Sequence, residues 1–347
     1  MRVFFRKNES EVLQAYIDPP GRAIPVARKQ TLLQAALAAD IAFPHSCRVG
    51  SCTTCKCRLL DGRIKALTDA SYVLSAEELR AGYILACQSV AKTDVRIALD
   101  RLDAAPTSQA KIRRLRFLTH DILELAIALE TPLQYIAGQY AEIVVPDIHP
   151  PRCYSFAAAP QENGCRDLVF HVRLVPGGEI SQWLQQHARA GTAVGIRGPL
   201  GVFRLHGGEA PILCVAGGSG MAPIKAMLEQ AQRAGWRRPV RYLYGARTQR
   251  DLYCLAEIAE LARSWNGHFQ FTPVLSAEPE DSDWQGARGL VTEWIDRHGP
   301  APSACQAYLC GPPGMVDAAV AVLTAAGAAK ENIHFDKFLD RSHAAVL

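Results

Sequence analysis

The chain has 347 residues, of which 49% are apolar, 21% charged and 7% aromatic, enough for two or three cored domains and unlike a disordered or fibrous chain. Its net charge of +4 is uneven: residues 1–103 hold 15 Lys+Arg against 11 Asp+Glu, and the remainder holds 23 of each. So small an excess excludes the dense basic stripe of a nucleic-acid binder.

No apolar run reaches the ~18 residues of a bilayer span, and the stretch from Met1 to Glu11 is mostly polar. A cytoplasmic protein with no signal peptide and no membrane contact is expected. Of the eleven cysteines, six are scattered singly after Cys87, which suits a reducing compartment better than a disulfide framework.

The first block runs to Asp103. Thr31 is placed to cap a helix reaching Asp40, with Leu32, Leu33, Ala36 and Leu37 on its apolar face. Between that helix and an alternating strand at Val95–Leu99 lie the clustered cysteines. Cys47, Cys52 and Cys55 have the spacing C-x4-C-x2-C, and Cys87 follows after 31 intervening residues. This is the plant-type spacing for four thiolates on a [2Fe-2S] cluster. Gly50, Ser51, Thr53 and Thr54 are small enough for the backbone to wrap the inorganic sulfurs. Zinc or disulfides are the alternatives, but zinc sites come as two paired knuckles and this spacing does not. Cys57 reads as a small buried hydrophobe. Arg48, Lys56, Arg58, Arg63 and Lys65 fall in or just beyond this loop and would form a basic rim for an acidic partner. Residues 104–109 read as a linker.

The second block, 110–207, has strand-like runs at Leu123–Leu129, Tyr140–Val145 and Leu168–Val175, as an antiparallel barrel would. Arg152-Cys153-Tyr154-Ser155 gains meaning from Gly177-Gly178-Glu179-Ile180-Ser181, which opens a helix expected over Gln182–Ala188. A glycine-led helix start is a pyrophosphate seat, so Gly178, Ile180 and Ser181 are its candidates. Arg152 would neutralise a flavin phosphate, Tyr154 would lie against the isoalloxazine ring, and the Ser155 hydroxyl would reach N5. Gly198–Phe203 closes the block.

The third block, 208–347, alternates strands with helices. Ile212–Ala216 leads into Gly217-Gly218-Ser219-Gly220 and a helix to Ala234, and strands follow at Val240–Tyr244, Gln270–Leu275 and Ala307–Cys310. That pattern is a doubly wound parallel sheet. Gly217, Gly218, Gly220 and Pro223 are candidate dinucleotide contacts, although the turn is not G-x-G-x-x-G. Arg247 would touch a phosphate. Cys310 ends a strand whose loop, with Gly311, Pro312 and Met315, sits at the carboxyl edge, and Cys310 is a candidate nicotinamide contact. Ser276-Ala277-Glu278 offers no cation for a 2′-phosphate, so NADH is expected over NADPH. There is no Ser-His-Asp or paired-carboxylate constellation.

With these blocks in this order, the chain resembles the ferredoxin–NADP-reductase-like family over its full length, and more narrowly the FAD/[2Fe-2S] reductase components of bacterial multicomponent oxygenases. The resemblance rests on the four cysteines, Arg152-x-Tyr154-Ser155, Gly217–Pro223, Gly198–Phe203, Asp283-Trp-Gln-Gly286, Tyr308–Met315 and Phe335-Asp-Lys-Phe338. It implies a β-grasp plant-type ferredoxin, an antiparallel β-barrel flavin domain and a doubly wound nucleotide domain. It also implies [2Fe-2S], FAD and NADH as cofactors, with electrons passing from NADH through FAD and the cluster to a partner oxygenase in aromatic hydrocarbon catabolism. Soluble diiron monooxygenases fit best. A Rieske dioxygenase partner is the alternative, and a non-catalytic zinc or disulfide binding module the remote one. In the diiron group a terminal aromatic lies near the flavin, here Phe335 or Phe338; Phe338 joins Ser155 and Cys310 as a candidate catalytic residue. A monomer is expected. The chain departs from that group at Ala287-Arg288, where an acidic stretch is usual.

Overall fold

The computed structural model describes residues 12–45, 48–50, 53–100, 106–297 and 299–338. The chain divides into two compact units, residues 1–104 and 105–347.

The first unit contains β1 (Leu13–Asp18), β2 (Arg22–Val26), α1 (Leu32–Ala38), β3 (Lys56–Asp61), β4 (Ile64–Ala66), α2 (Ala76–Arg80), β5 (Tyr83–Leu85), β6 (Ser89–Ala91) and β7 (Val95–Ala98). Its main sheet has the order β2-β1-β7-β3-β5, with β1 and β7 parallel and the other pairs antiparallel. The Thr31 hydroxyl accepts the Gln34 N–H at 3.2 Å while Gln34 Oε1 accepts the Thr31 N–H at 2.9 Å. This reciprocal box starts α1 where the sequence places it. The helix buries Leu32, Leu33, Ala35 and Ala36 in a core shared with Ile17, Ile24 and Ile97. Each such aliphatic side chain contributes about 1.5–3 kcal/mol on burial.

The second unit opens with β8 (Thr107–Phe117), β9 (Ile122–Leu133), β10 (Tyr140–Val144), β11 (Arg152–Ser155), β12 (Cys165–Arg173), α3 (Glu179–Gln186) and β13 (Ala193–Leu200). The antiparallel order β11-β10-β13-β8-β9-β12 is closed into a barrel by a bridge between Phe156 and Phe170. Leu125, Ile127, Phe156, Leu168 and Phe170 fill it. Strand β8 begins at Thr107, so the last three residues of the expected linker are already strand. Helix α3 begins three residues before the expected Gln182, because Gly178 is extended and serves as its N-cap.

The same unit continues with β14 (Ile212–Gly217), α4 (Met221–Arg233), β15 (Val240–Ala246), α5 (Leu255–Ser264), β16 (Phe269–Leu275), β17 (Ala287–Arg288), β18 (Gln306–Gly311), α6 (Pro313–Ala325) and β19 (Ile333–Lys337). All pairs in the order β17-β16-β15-β14-β18-β19 are parallel. Right-handed crossovers put α4 and α5 on one face and α6 on the other. The order reverses at β14, so the turns after β14 and β18 flank the crevice where such sheets bind ligands. Ile122, Ala137 and Phe203 of the barrel are buried in the same core as Ile224 and Met227 of α4.

Candidate functional site

In the first unit, the pairing of Lys56 with Leu85 places Cys55 and Cys87 at neighbouring strand ends. Their residues are 2% and 5% exposed, and the Ala86 N–H donates to the Cys55 carbonyl at 3.1 Å. Cys47 and Cys52 lie outside the described residues. Between and beside those positions, Arg48, Gly50 and Thr53 have φ of +61°, +81° and +58°. Left-handed residues interspersed in a turn direct backbone N–H groups to one side, an arrangement suited to anionic sulfur. A Cβ on Gly50 would lie 2.9 Å from Gln88 Cγ and 3.2 Å from Thr68 Oγ1, so only glycine lets the loop approach this closely. Gln88 Nε2 ties the loop down by donating to the Arg48 carbonyl at 3.1 Å. Buried thiols under a folded-down loop fit a thiolate-held cluster. Cys57 is fully buried and its thiol pKa is pushed far up by burial, in keeping with a packing role.

The expected basic rim needs correction at one position, Lys56. Lys56 Nζ donates to Glu78 Oε1 at 2.6 Å, and this contact holds the Glu78 carboxyl below the usual range. Arg58 Nε donates to the Ala81 carbonyl at 3.0 Å. Arg63 and Lys65 are exposed on and beside β4, near the loop through Thr68, and Arg48 is exposed with its guanidinium 3.0 Å from His45 Nε2. Among the described residues, the rim without an offsetting carboxylate in contact is Arg48, Arg58, Arg63 and Lys65.

In the barrel, β10 holds β11 in the register Tyr140–Ser155, Ala141–Tyr154 and Ile143–Arg152. Ser155 is buried, and Tyr154 is half-buried against the barrel core. Arg152 Nη2 donates to Glu179 Oε2 at 2.8 Å, and Nη1 donates to the Pro150 carbonyl. The motif strand and the start of α3, 27 residues apart, therefore meet, as a phosphate seat requires. Glu179 is not singled out by the sequence; its place beside Arg152 is visible only once the strand and turn converge. The Ser181 hydroxyl accepts the Val175 N–H at 2.9 Å, and a Cβ on Gly178 would lie 3.1 Å from Ser181 Oγ and from the Val175 carbonyl. The Ile180 side chain is packed in the barrel core, which leaves its backbone alone to face a ligand.

At the crevice, a Cβ on Gly217 would lie 2.6 Å from Met315 Sδ and 3.2 Å from Pro312 Cδ. Gly311 has φ +145°, and a Cβ there would lie 2.8 Å from the Gly217 carbonyl oxygen. The two turns thus pack backbone against backbone, with Gly220 close against the Cys310 carbonyl and Pro223 buried in the first turn of α4. Cys310 is fully buried and its thiol pKa is raised well above the ordinary range by burial, so the thiol is a core group in this arrangement. The Phe338 N–H donates to the Gly311 carbonyl at 2.8 Å, and its ring packs on the core that contains Cys310. Phe335 instead lies beneath Lys337 Nζ, 5.2 Å from the ring centre. Arg247 is exposed just beyond β15.

Glu278 accepts from Gln249 N at 2.8 Å and from Gln249 Nε2 at 2.9 Å, which lower its carboxyl pKa. A cation is in fact close by. Arg288 Nη1 donates to the Glu278 and Pro279 carbonyls at 2.9 and 3.0 Å, and Nη2 donates to Ser282 Oγ and the Trp284 carbonyl, each at 3.1 Å. Those bonds turn the guanidinium onto its own loop.

One face of α4 fastens this crevice to the barrel. Lys225 Nζ donates to the Ala157 carbonyl at 3.3 Å and to Glu229 Oε1 at 2.5 Å, and Glu229 Oε2 accepts the Ala159 N–H at 3.1 Å. Gln230 Oε1 accepts the Ala137 N–H at 3.0 Å, and Arg233 Nη1 reaches the Pro160 carbonyl at 3.2 Å. The loop it grips directly follows Ser155.

A thiol-lined loop in one unit, with a barrel seat and a dinucleotide crevice joined in the other, defines a modular redox protein. Family models match in the same places: a 2Fe-2S iron-sulfur cluster binding domain over residues 15–92, an oxidoreductase FAD-binding domain over 109–205 and an oxidoreductase NAD-binding domain over 214–321. The xylene/toluene monooxygenase electron transfer component XylA of Pseudomonas putida is 41% identical across 98% of this chain and 99% of its own. The reductase component of the naphthalene 1,2-dioxygenase system of Pseudomonas putida is 33% identical, covering 94% and 98%. The crystal structure of the Amycolatopsis cytochrome P450 reductase GcoB superposes with a TM-score of 0.68 at 33% identity, covering 94% of this chain and 98% of that one. The chain belongs to the family of FAD- and NAD-binding, [2Fe-2S]-containing reductase components of multicomponent oxygenases. Among the described residues, no helix is long and apolar enough to cross a membrane.

Proposed function

We propose that this reductase serves a monooxygenase of aromatic hydrocarbons, drawing on NADH. The observation that carries the choice of partner is the 41% identity to a xylene/toluene monooxygenase electron transfer component, end to end. FAD, when bound, would supply the exchange between two-electron hydride chemistry with NADH and single-electron transfer to the cluster. The protein's own groups bind, orient and shield. Cys47, Cys52, Cys55 and Cys87 hold the cluster as thiolates. Arg152 and the N–H groups of Gly178, Ile180 and Ser181 take the flavin phosphates, with Arg152 leaving or bridging Glu179 to do so. Tyr154 supports the ring system and Ser155 offers a hydroxyl at its reactive edge. Gly217, Gly218, Gly220 and Pro223, with Gly311, Pro312 and Met315 opposite, cradle the dinucleotide, and Arg247 adds charge at the rim.

Phe338, rather than Phe335, is assigned to the flavin face, because its backbone is bonded to Gly311 at the crevice. Cys310 then acts from behind it, becoming accessible when the aromatic ring gives way. The proposal includes a monomer in the cytoplasm. It also includes a soluble diiron hydroxylase as the electron acceptor. Mixing the purified holoprotein with a diiron hydroxylase or with a Rieske oxygenase, and measuring NADH-dependent substrate turnover, tests the partner. Turnover with the Rieske oxygenase alone would refute the proposal. Light scattering of the holoprotein checks the monomer.

A further inference from the structure

Three buried tyrosines form a shelf beneath the glycine turn that follows β14. Tyr242 and Tyr244 lie on one face of β15, two residues apart, and are fully buried; Tyr253 enters from the loop before α5 and is 4% exposed. The Tyr242 hydroxyl donates to Met221 Sδ at 3.0 Å. The hydroxyls of Tyr244 and Tyr253 both donate to the Gly218 carbonyl oxygen, at 3.2 and 3.3 Å. The Met221 N–H closes the turn on the same oxygen.

A buried hydroxyl needs a partner, and two of them converge here on a single peptide group. Phenylalanine would fill the same space, as Phe271 does beside Tyr242 and Tyr244. Burial raises both phenol pKa values, so both groups stay protonated and can donate at any working pH. On its other side the turn is open: Gly218 has φ +54°, and a Cβ there would meet nothing within 4 Å. In a trans peptide the C=O and N–H point in opposite directions. Holding the Gly218 carbonyl against the tyrosines therefore aims the Ser219 N–H toward the open side. Donors on a carbonyl also polarise its peptide and strengthen that N–H as a donor. From the barrel, the buried His171 of β12 meets the Tyr253 ring edge-on, with centroids 5.4 Å apart, so the shelf is backed by the flavin domain.

We propose that Tyr244 and Tyr253 are positioning residues for the dinucleotide: through the Gly218 carbonyl they hold the Ser219 N–H toward the phosphates of NADH. This rests on the reading of Gly217–Gly220 as the phosphate seat. The test uses oxidised holoprotein carrying Tyr244→Phe, Tyr253→Phe or both. Calorimetric titration with NAD+ should show binding weakened by about three- to tenfold for each single variant, the range expected for one hydrogen bond, and further for the pair. N-Benzyl-1,4-dihydronicotinamide, a hydride donor with no phosphate, should bleach the flavin of every variant at the unmodified rate. NAD+ affinity within twofold of the parent, with only the unfolding midpoint lowered, would show that the hydroxyls serve the fold alone and overturn the proposal. Equal losses with both donors would place the effect at the flavin and also overturn it. Gly218→Ala separates the two readings, because its methyl enters the open side of the turn. Undiminished NAD+ affinity in that variant would remove the phosphate seat itself. Weakened binding there, with unchanged binding in the tyrosine variants, would remove only the tyrosine role.

Discussion

Replacing Glu229 with alanine would cut one of the bonds that fasten α4 to the loop behind Ser155, together with the ion pair inside α4 that steadies Lys225. The carboxylate receives Lys225 Nζ at 2.5 Å and the Ala159 N–H at 3.1 Å. The paired side chains are 12% and 23% exposed, so solvent screens them in part. An orphaned, partly buried N–H costs about 1–3 kcal/mol. Loss of the screened ion pair adds about 1 kcal/mol. For a unit spanning residues 105–347, a total of about 2–4 kcal/mol lowers the unfolding midpoint by about 5–12 °C. Glu229→Gln keeps an acceptor for the Ala159 N–H and should lose only about 2–4 °C. Differential scanning calorimetry of the holoprotein reads these shifts. Anaerobic stopped-flow reduction of the flavin by saturating NADH reads the functional cost. The rate should fall severalfold in the alanine variant and recover in the glutamine variant, because the helix that carries the glycine turn loses its fixed distance from the flavin strand. A midpoint within 2 °C of the parent together with an unchanged rate would refute the idea that this face of α4 sets the alignment.

Replacing Cys87 with serine should abolish or alter the EPR signal of the reduced cluster while NADH still bleaches the flavin, since the first unit has its own core; an unchanged signal would refute the ligation. NADH should give a higher kcat/KM than NADPH, because the Glu278 carboxylate is held ionised by Gln249 and the Arg288 donors are spent on their own loop; equal values would count against this. Electron transfer to the oxygenase should slow with added salt and with Arg48→Glu, a screened steering effect with a reach of about 8 Å, while NADH-to-flavin reduction stays constant. Lys56→Glu should slow transfer as well, since the reversal also leaves Glu78 without its cation; transfer indifferent to salt and to both reversals would exclude a basic docking rim. Burial lowers the pKa of His171 to about 3 and that of His334 to about 4, against 6.5 for the unfolded side chain. Both are neutral in the fold, so as the pH drops below 6.5 toward 4 the unfolded chain binds protons that the fold refuses and stability is lost. A midpoint that stays level between pH 7.5 and 5 would refute this.

The three-module order was legible because each module announces itself locally. Cysteine spacing, a glycine-led helix start and a strand–glycine–helix junction all lie within short stretches of chain. The cap at Thr31 and the strands at Ile212–Ala216 and Val240–Tyr244 were readable for the same reason. What sequence missed depends on distance. Glu179 meets Arg152 across 27 residues, and Arg288 folds back onto Glu278 across ten. Lys56 reads as a free charge until α2 brings Glu78 beside it. Tyr253 has no motif of its own, and its hydroxyl acquires a purpose only when the loop before α5 is folded under Gly218. Cys310 sits in a recognisable run, yet its burial is a property of the sheet behind it and of Phe338.

The barrel is sewn shut by one isolated bridge, Phe156 to Phe170, and the residues just past that seam are those gripped by α4. The nucleotide domain thus serves as an external brace for the flavin domain. A truncation after Leu205 would leave the seam without its brace and the apolar faces of Ile122, Ala137 and Phe203 exposed to water. In gene rearrangement these two domains would therefore be inherited as an indivisible cassette. The iron–sulfur unit, which keeps its own interior, is the part that can be traded when a reductase acquires a new client.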